Sequence, residues 1–209
     1  MIIAIDGSAA SGKGTLAKRL ATHLGLSHLD TGALYRAVGL QLLNAGQDPK
    51  NINENQCVNS CFELDIALTT SPLIRSEKVA KMASVVAAMP AVRAALLALQ
   101  RQFAATPPYS KGAILDGRDI GTVVLPHADF KFFIDADINT RAKRRTKELL
   151  QTGQSVMFRD VLSDMQERAS RDRSRSAAPL RPADDAISID TSSMDIDDVL
   201  ALALSHITP

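Results

Sequence analysis

Between Gly7 and Thr15 the chain reads GSAASGKGT, packing three glycines, two serines, a lysine and a threonine into nine residues. The apolar run Met1 to Ile5 and then Asp6 precede it, and LAKRLATHLG follows. A strand feeding a glycine-rich turn that opens a helix is a phosphate cradle. Gly7 and Gly12 permit backbone angles and close approaches that a side chain forbids. The amides of Ser8, Ala9, Ala10 and Ser11 can point inward, and Lys13 brings a cation for β- and γ-phosphates. The spacing departs from G-x-x-x-x-G-K-[ST] because Gly14 follows the lysine and the hydroxyl arrives at Thr15. One step along a helix N-terminus still leaves that hydroxyl near a phosphate-bound Mg²⁺, so the expected ligand is a nucleoside triphosphate.

Three further charged motifs sit where strands end. In Asp30-Thr31-Gly32-Ala33-Leu34-Tyr35-Arg36 a small residue and a glycine lead to Arg36, one turn into a helix. In Leu115-Asp116-Gly117-Arg118-Asp119-Ile120-Gly121 an apolar strand runs into charge between two glycines. Asp116 is placed to orient Mg²⁺ through water, and Arg118 can fork onto a phosphate. The third motif, ERASRDRSRSAAPLR, spans Glu167 to Arg181 and carries five arginines. At about 100° per residue, Arg168, Asp172 and Arg175 fall within roughly 60° of one another on a helix, with Arg171 beside them and Arg173 nearly opposite. One face can clamp an acceptor phosphate and offer Asp172 to a sugar hydroxyl, while Arg173 faces another partner such as the triphosphate.

Such a set suits phosphoryl transfer, which asks for positioning and charge neutralisation. An acceptor that is itself a phosphate is already ionised and needs no general base. None is expected here, because His23, His28, His127 and His206 read as scattered core-edge or surface residues outside the charged motifs.

The elements that must hold these groups are legible as alternating patterns. Strand-length apolar runs occur at 2 to 5, 112 to 115, 130 to 134 and 186 to 189, with a shorter one at 26 to 30. Each lies near a helical pattern, so the expected fold is α/β, a P-loop-type five-stranded parallel sheet with helices on both faces. A helix is expected from Thr31 to Gly46, two more within 76 to 104, the second opened by Pro90, and two between Asn139 and about Arg175, broken near Gly153. Residues 47 to 75 break the rhythm, polar at first and then strand-like from Phe62 to Leu68. They read as a small insert, in which residues 57 to 75 have room for little more than one hairpin. The organisation expected is a single domain, with core 1–46 and 76–209, the insert at about 47–75, and an arginine-rich lid at about 153–181.

Bulk properties narrow the field. The chain has 209 residues, 24 Lys plus Arg against 23 Asp plus Glu, and a formal net charge of +1, which argues against a general nucleic-acid or membrane-surface binder. Cys57 and Cys61 lack a second pair or a suitably spaced histidine, so they read as reduced thiols rather than a zinc site. The N-terminal apolar stretch is only a strand long and lacks a basic leader, and no run approaches membrane-spanning length. A cytoplasmic monomer acting on small molecules is expected.

Taken together, the motifs resemble the bacterial cytidylate kinases, nucleoside monophosphate kinases of the P-loop group. GKGT has the form typical of that group. GSAASGKGT matches the family's phosphate loop, DTGALYR its monophosphate-site helix start and MASVVAAMPAVRAAL its segment near the base. LDGRDIGTVVLP matches its central signature and RDRSRSAAPLRPADDA its lid. The resemblance implies that ATP with Mg²⁺ donates its γ-phosphoryl to CMP or dCMP. It implies cytosine-side contacts from Ser84, Arg93 and Asp119, acceptor-phosphate contacts from Arg36, Arg118, Arg168 and Arg175, and Asp172 with Thr31 near the sugar. Arg171 and Arg173 would close over ATP, with Thr15 and Asp116 toward the metal. Ser84 and Arg93 rest on the resemblance alone. Many members carry a multi-stranded sheet where this chain has its short insert, so the base pocket is expected to be less enclosed. The residues themselves leave open another small P-loop kinase, acting on UMP or a non-nucleotide acceptor, and a nucleotide-binding switch.

Overall fold

The computed structural model describes residues 1–175 and 178–207; Ser176 and Ala177, in the expected lid, and Thr208 and Pro209 lie outside that description. Among the described residues, five strands form one sheet: β1 (Ile2–Gly7), β2 (Ser27–Asp30), β3 (Ala113–Gly117), β4 (Phe130–Asp135) and β5 (Ile187–Asp190), in the order β2-β3-β1-β4-β5. β1 pairs in parallel with β3 and with β4, and β4 pairs in parallel with β5. The alternation of strand faces puts Ile3 and Ile5 of β1, with Ile114, Phe132, Ile134 and Ile189, into one apolar cluster. Leu16, Ala17 and Leu20 of α1 (Lys13–Leu24) and Val199 and Ala203 of α8 (Ile196–Ile207) cover it. From β1 the chain crosses to the β2 edge, and from β3 it crosses the other way to β4. The carboxyl ends of β1 and β3 therefore flank the sheet's switch point, where ligands of such sheets bind.

Two compact units divide the chain: Met1–Leu29 with everything from Phe103 onward, and Asp30–Gln102. The second holds α2 (Thr31–Asn44), α3 (Glu54–Phe62), two 3-10 turns (Ile66–Thr70 and Pro72–Arg75), α4 (Glu77–Val86) and α5 (Pro90–Ala105). Its core brings Ala33 and Leu40 of α2 against Ile74 and Val79, with Leu68 packed beside them.

The hairpin expected within 57 to 75 is not there. Asn53, Asp65 and Ser71 each accept a backbone N–H from two residues on, and each starts a helix or a 3-10 turn. Phe62 and Ile66 are 76% and 51% exposed, so the alternation that resembled a strand has no sheet to face. α6 (Ile138–Gln151) and α7 (Phe158–Ser174) take the places expected for the arginine-rich helices. Ala142 and Leu149 of α6 pack on Val161 and Met165 of α7, and Ala9 and Ala10 of the phosphate loop pack against this cluster.

Candidate active site

Gly7 ends β1 with its backbone so close to β4 that a Cβ there would overlap the carbonyl of Ile134. Gly12, at φ 93°, caps α1 in the left-handed region. The first turn of α1 has no acidic residue, and its N-cap, Gly12, has no side chain to cap it, so its amides and dipole favour an anion. Ser8 and Ser11 are 2% and 0% exposed, and their buried hydroxyls have no hydrogen-bond partner among the described residues. Orphaned hydroxyls in an uncapped glycine-rich loop fit a phosphate chain as the missing partner.

The loop is braced from behind. Arg141 donates to Ala136 O at 2.8 Å and reaches Ala9 O at 3.4 Å. Arg144 reaches Ser11 O at 3.4 Å and donates to Thr191 O at 2.6 Å, and Thr191 Oγ1 donates to Ser11 O at 2.9 Å. Sequence reasoning missed all three. RAKRR carried a signal as a basic run early in α6, but its targets lie over 130 residues away.

Asp6 links the phosphate loop to the central motif. Its carboxylate accepts from Ile120 N and Gly121 N, both at 2.7 Å, and thereby caps a π-helical turn (Ile120–Val124) directly after Arg118 and Asp119. Burial pushes the Asp6 carboxyl up from 3.8 to about 6, against the pull of the Gly121 and Ile120 N–H groups; Asp119 adds to the rise and Arg118 opposes it. The folded-state value lies above the unfolded one, so the folded protein holds a proton that the unfolded chain has released. That stabilisation is full below about pH 4 and is lost as pH rises through about 6. Relative to Asp6→Asn, which lacks the titration, the wild type should lose about 2 kcal/mol between about pH 4 and 7 in urea unfolding. Parallel stability curves for the two proteins would assign the proton elsewhere.

Next to the Asp6 linkage, Asp172 of α7 gathers the arginines that helical spacing put on one face. Arg118 Nε donates to Asp172 Oδ2 at 2.9 Å, Arg168 Nε lies 4.0 Å from the same oxygen, and Arg175 Nη1 lies 3.8 Å from Oδ1. Burial raises the Asp172 carboxyl, yet Arg118, Arg168 and Arg175 outweigh it and hold the group below the usual carboxylate range. Three guanidiniums around one carboxylate leave a surplus of positive charge, a setting that favours a dianionic phosphate. Arg173 points elsewhere, 3.7 Å from Asp135 at the end of β4, and Arg171 pairs with Glu167 one turn back at 2.5 Å.

The unit Asp30–Gln102 holds the remaining sequence-derived residues. Asp30 caps α2 by accepting from Ala33 N at 3.1 Å, which buries Thr31 at the first helical position. Arg36 Nη1 donates to Ile74 O at 2.7 Å. Arg93 donates to Ala87 O at 3.1 Å and sits 5.5 Å over the Tyr35 ring, while Ser84 is buried on α4. Tyr35, one residue before Arg36, is buried beneath Arg93.

A family model described as cytidylate kinase matches residues 3–209. The cytidylate kinase of Paramagnetospirillum magneticum is 52% identical over 207 residues, covering 99% of this chain and 97% of that one. That of Rhodospirillum rubrum is 51% identical over 205 residues, covering 98% and 95%. The chain belongs to the cytidylate kinase family. A crystal structure of an uncharacterized protein from Eubacterium ventriosum, 16% identical, shares the fold at a TM-score of 0.53 over 99% of this chain and 98% of its own.

In this cytidylate kinase family chain the two residues expected toward a metal, Thr15 and Asp116, are both oxygen donors. Thr15 lies in the first turn of α1, and Asp116 Oδ1 lies 3.7 Å from where a Cβ on Gly14 would stand. Among the described residues no group of three or more His, Cys, Asp or Glu could hold a metal unaided. A hydroxyl and one carboxylate fit Mg²⁺ carried in on nucleotide phosphates and water. The reading of the histidines as scattered needs one correction. His28 Nε2 lies 2.8 Å from Asp116 Oδ2, which brings that histidine into the central motif. Cys57 and Cys61 are free thiols on α3, and burial pushes the Cys61 thiol up to about 11.

Proposed function

We propose that this protein transfers the γ-phosphoryl of ATP to CMP or dCMP, giving ADP and the pyrimidine diphosphate. The observation that carries the reading is the arginine cluster around Asp172, joined through Arg118 to the strand beside the phosphate loop. Ser8 to Thr15 and Lys13 hold the triphosphate. Arg118, Arg168 and Arg175, with Arg36, hold the acceptor phosphate, and Asp172 and Thr31 meet the sugar. Ser84, Arg93 and Asp119 read the cytosine. Thr15 and Asp116 would hold Mg²⁺, which neutralises charge between the β- and γ-phosphates when bound. The acceptor oxygen is already ionised, so transfer proceeds in line without a protein base, and the residues serve to position it and offset its charge. The whole of 1–209 is proposed as one kinase domain. A cytoplasmic location is proposed on the two unpaired thiols, and a monomer because a small acceptor needs no second chain.

Coupled ADP-release measurement tests the reading: turnover should depend on CMP or dCMP and be far slower with UMP, AMP or shikimate. Absence of CMP-dependent turnover with Mg·ATP overturns it.

Water left beside a bound γ-phosphate would compete with CMP, so the last turn of α7 should act as a closing element. Alanine at both Arg171 and Arg173 should lower kcat by about 10²-fold and change KM for CMP by no more than about threefold. The opposite split in steady-state kinetics would show that the two arginine faces have been exchanged.

A further inference from the structure

The two oxygens of Asp116 face different neighbours. Oδ2 meets His28 Nε2 at 2.8 Å, and Oδ1 looks toward Gly14, one residue before Thr15. The contact is sheltered, with the His28 side chain 15% exposed and that of Asp116 3%. It joins neighbouring strands, since β2 lies beside β3 in the sheet. The terminal torsion of an aspartate is a broad, roughly two-fold well, so its carboxylate plane is set by partners rather than by intrinsic preference. A ring N–H fixed on a strand is a rigid partner. Held at Oδ2, the carboxylate turns its other oxygen to the start of α1. Oδ1 stands near the backbone there, 3.7 Å from where a Cβ on Gly14 would lie.

We infer that His28 is a positioning residue that holds the Asp116 carboxylate with Oδ1 turned toward the metal-bearing phosphates at Gly14 and Thr15. This rests on the proposed binding of a Mg²⁺ nucleotide in the loop. His28 is not catalytic in itself; it acts through Asp116, as outer-shell partners act through the groups they orient.

Calorimetric titration of the full chain with ADP, once in EDTA and once with Mg²⁺, tests this without CMP. His28→Leu should reduce the metal-dependent gain in ADP affinity by about 10-fold and leave affinity in EDTA unchanged. His28→Gln, whose amide can still donate to Asp116, should recover most of the gain. With CMP present, the Leu variant should show a lower kcat at unchanged KM for CMP. A Leu variant with the wild-type gain overturns the inference, as does an equal loss in EDTA and Mg²⁺, or a Gln variant no better than Leu. Should Leu fail to fold, His28→Asn, too short to reach Asp116, takes its place. Wild-type protein that binds no ADP would overturn the functional reading, whereas an unaltered variant in a wild type that binds Mg·ADP overturns only the role of His28.

Discussion

Arg118→Ala lowers kcat/KM for CMP by about 10³-fold while the Kd for ADP stays within about twofold; this is the expected outcome of steady-state kinetics and calorimetry run side by side. The guanidinium is anchored before any ligand arrives. Nε donates to Asp172 Oδ2 at 2.9 Å, and Nη1 donates to the carbonyl of Gly117 at 3.3 Å. The remaining donors of the fork are those that a phosphate would take, with their direction fixed in advance. Removing the side chain also leaves Asp172 without its shortest charged contact. Arg118→Lys should recover only part of the loss, because an ammonium cannot reproduce a planar fork. A drop in ADP affinity as large as the loss of CMP use would place Arg118 on the donor side and remove it from the acceptor set.

Lys13→Met should be comparably severe, with kcat reduced by about 10³-fold and Mg·ATP affinity reduced by about 10-fold. Lys13 is the first residue of α1, directly after the left-handed Gly12 and in a first turn that carries no acidic residue. Its cation therefore adds to an uncapped helix terminus that already favours negative charge, and both act where charge shifts during transfer. The unfolding midpoint should stay near that of the wild type, since the apolar packing of α1 runs through Leu16, Ala17, Leu20 and Ala21 rather than through Lys13. A variant that keeps its rate would mean that the loop amides alone neutralise the donor.

The sequence made the glycine-rich turn into α1 and the split of the α7 arginines legible because both depend on local spacing. A glycine-rich turn between an apolar strand and a helix states its own geometry, and 3.6 residues per turn assigns Arg168, Asp172 and Arg175 to one face without knowledge of the fold. Residues 62 to 68 were misread for an equally local reason. Phe62, Leu64, Ile66 and Leu68 alternate as a strand does, yet Asn53, Asp65 and Ser71 supply side-chain acceptors that begin helical turns instead. What could not be read is long-range pairing. His28 and Asp116 lie 88 residues apart, and Asp6 and Gly121 lie 115 apart. Only the strand order brings such residues together, and periodicity carries no record of it. Ser84 and Arg93 came from family resemblance because a polar interruption in a helix states no purpose.

The Asp6 carboxylate gives the active site a shared frame. One residue ends the run that leads into the glycine-rich loop and also grips the amides of Ile120 and Gly121, just past Arg118. Loops usually drift independently, each with its own thermal wander. Here the glycine-rich loop and the turn after Arg118 are riveted through a single buried side chain, so on the proposed reading the two phosphates would meet an alignment already built into the resting chain.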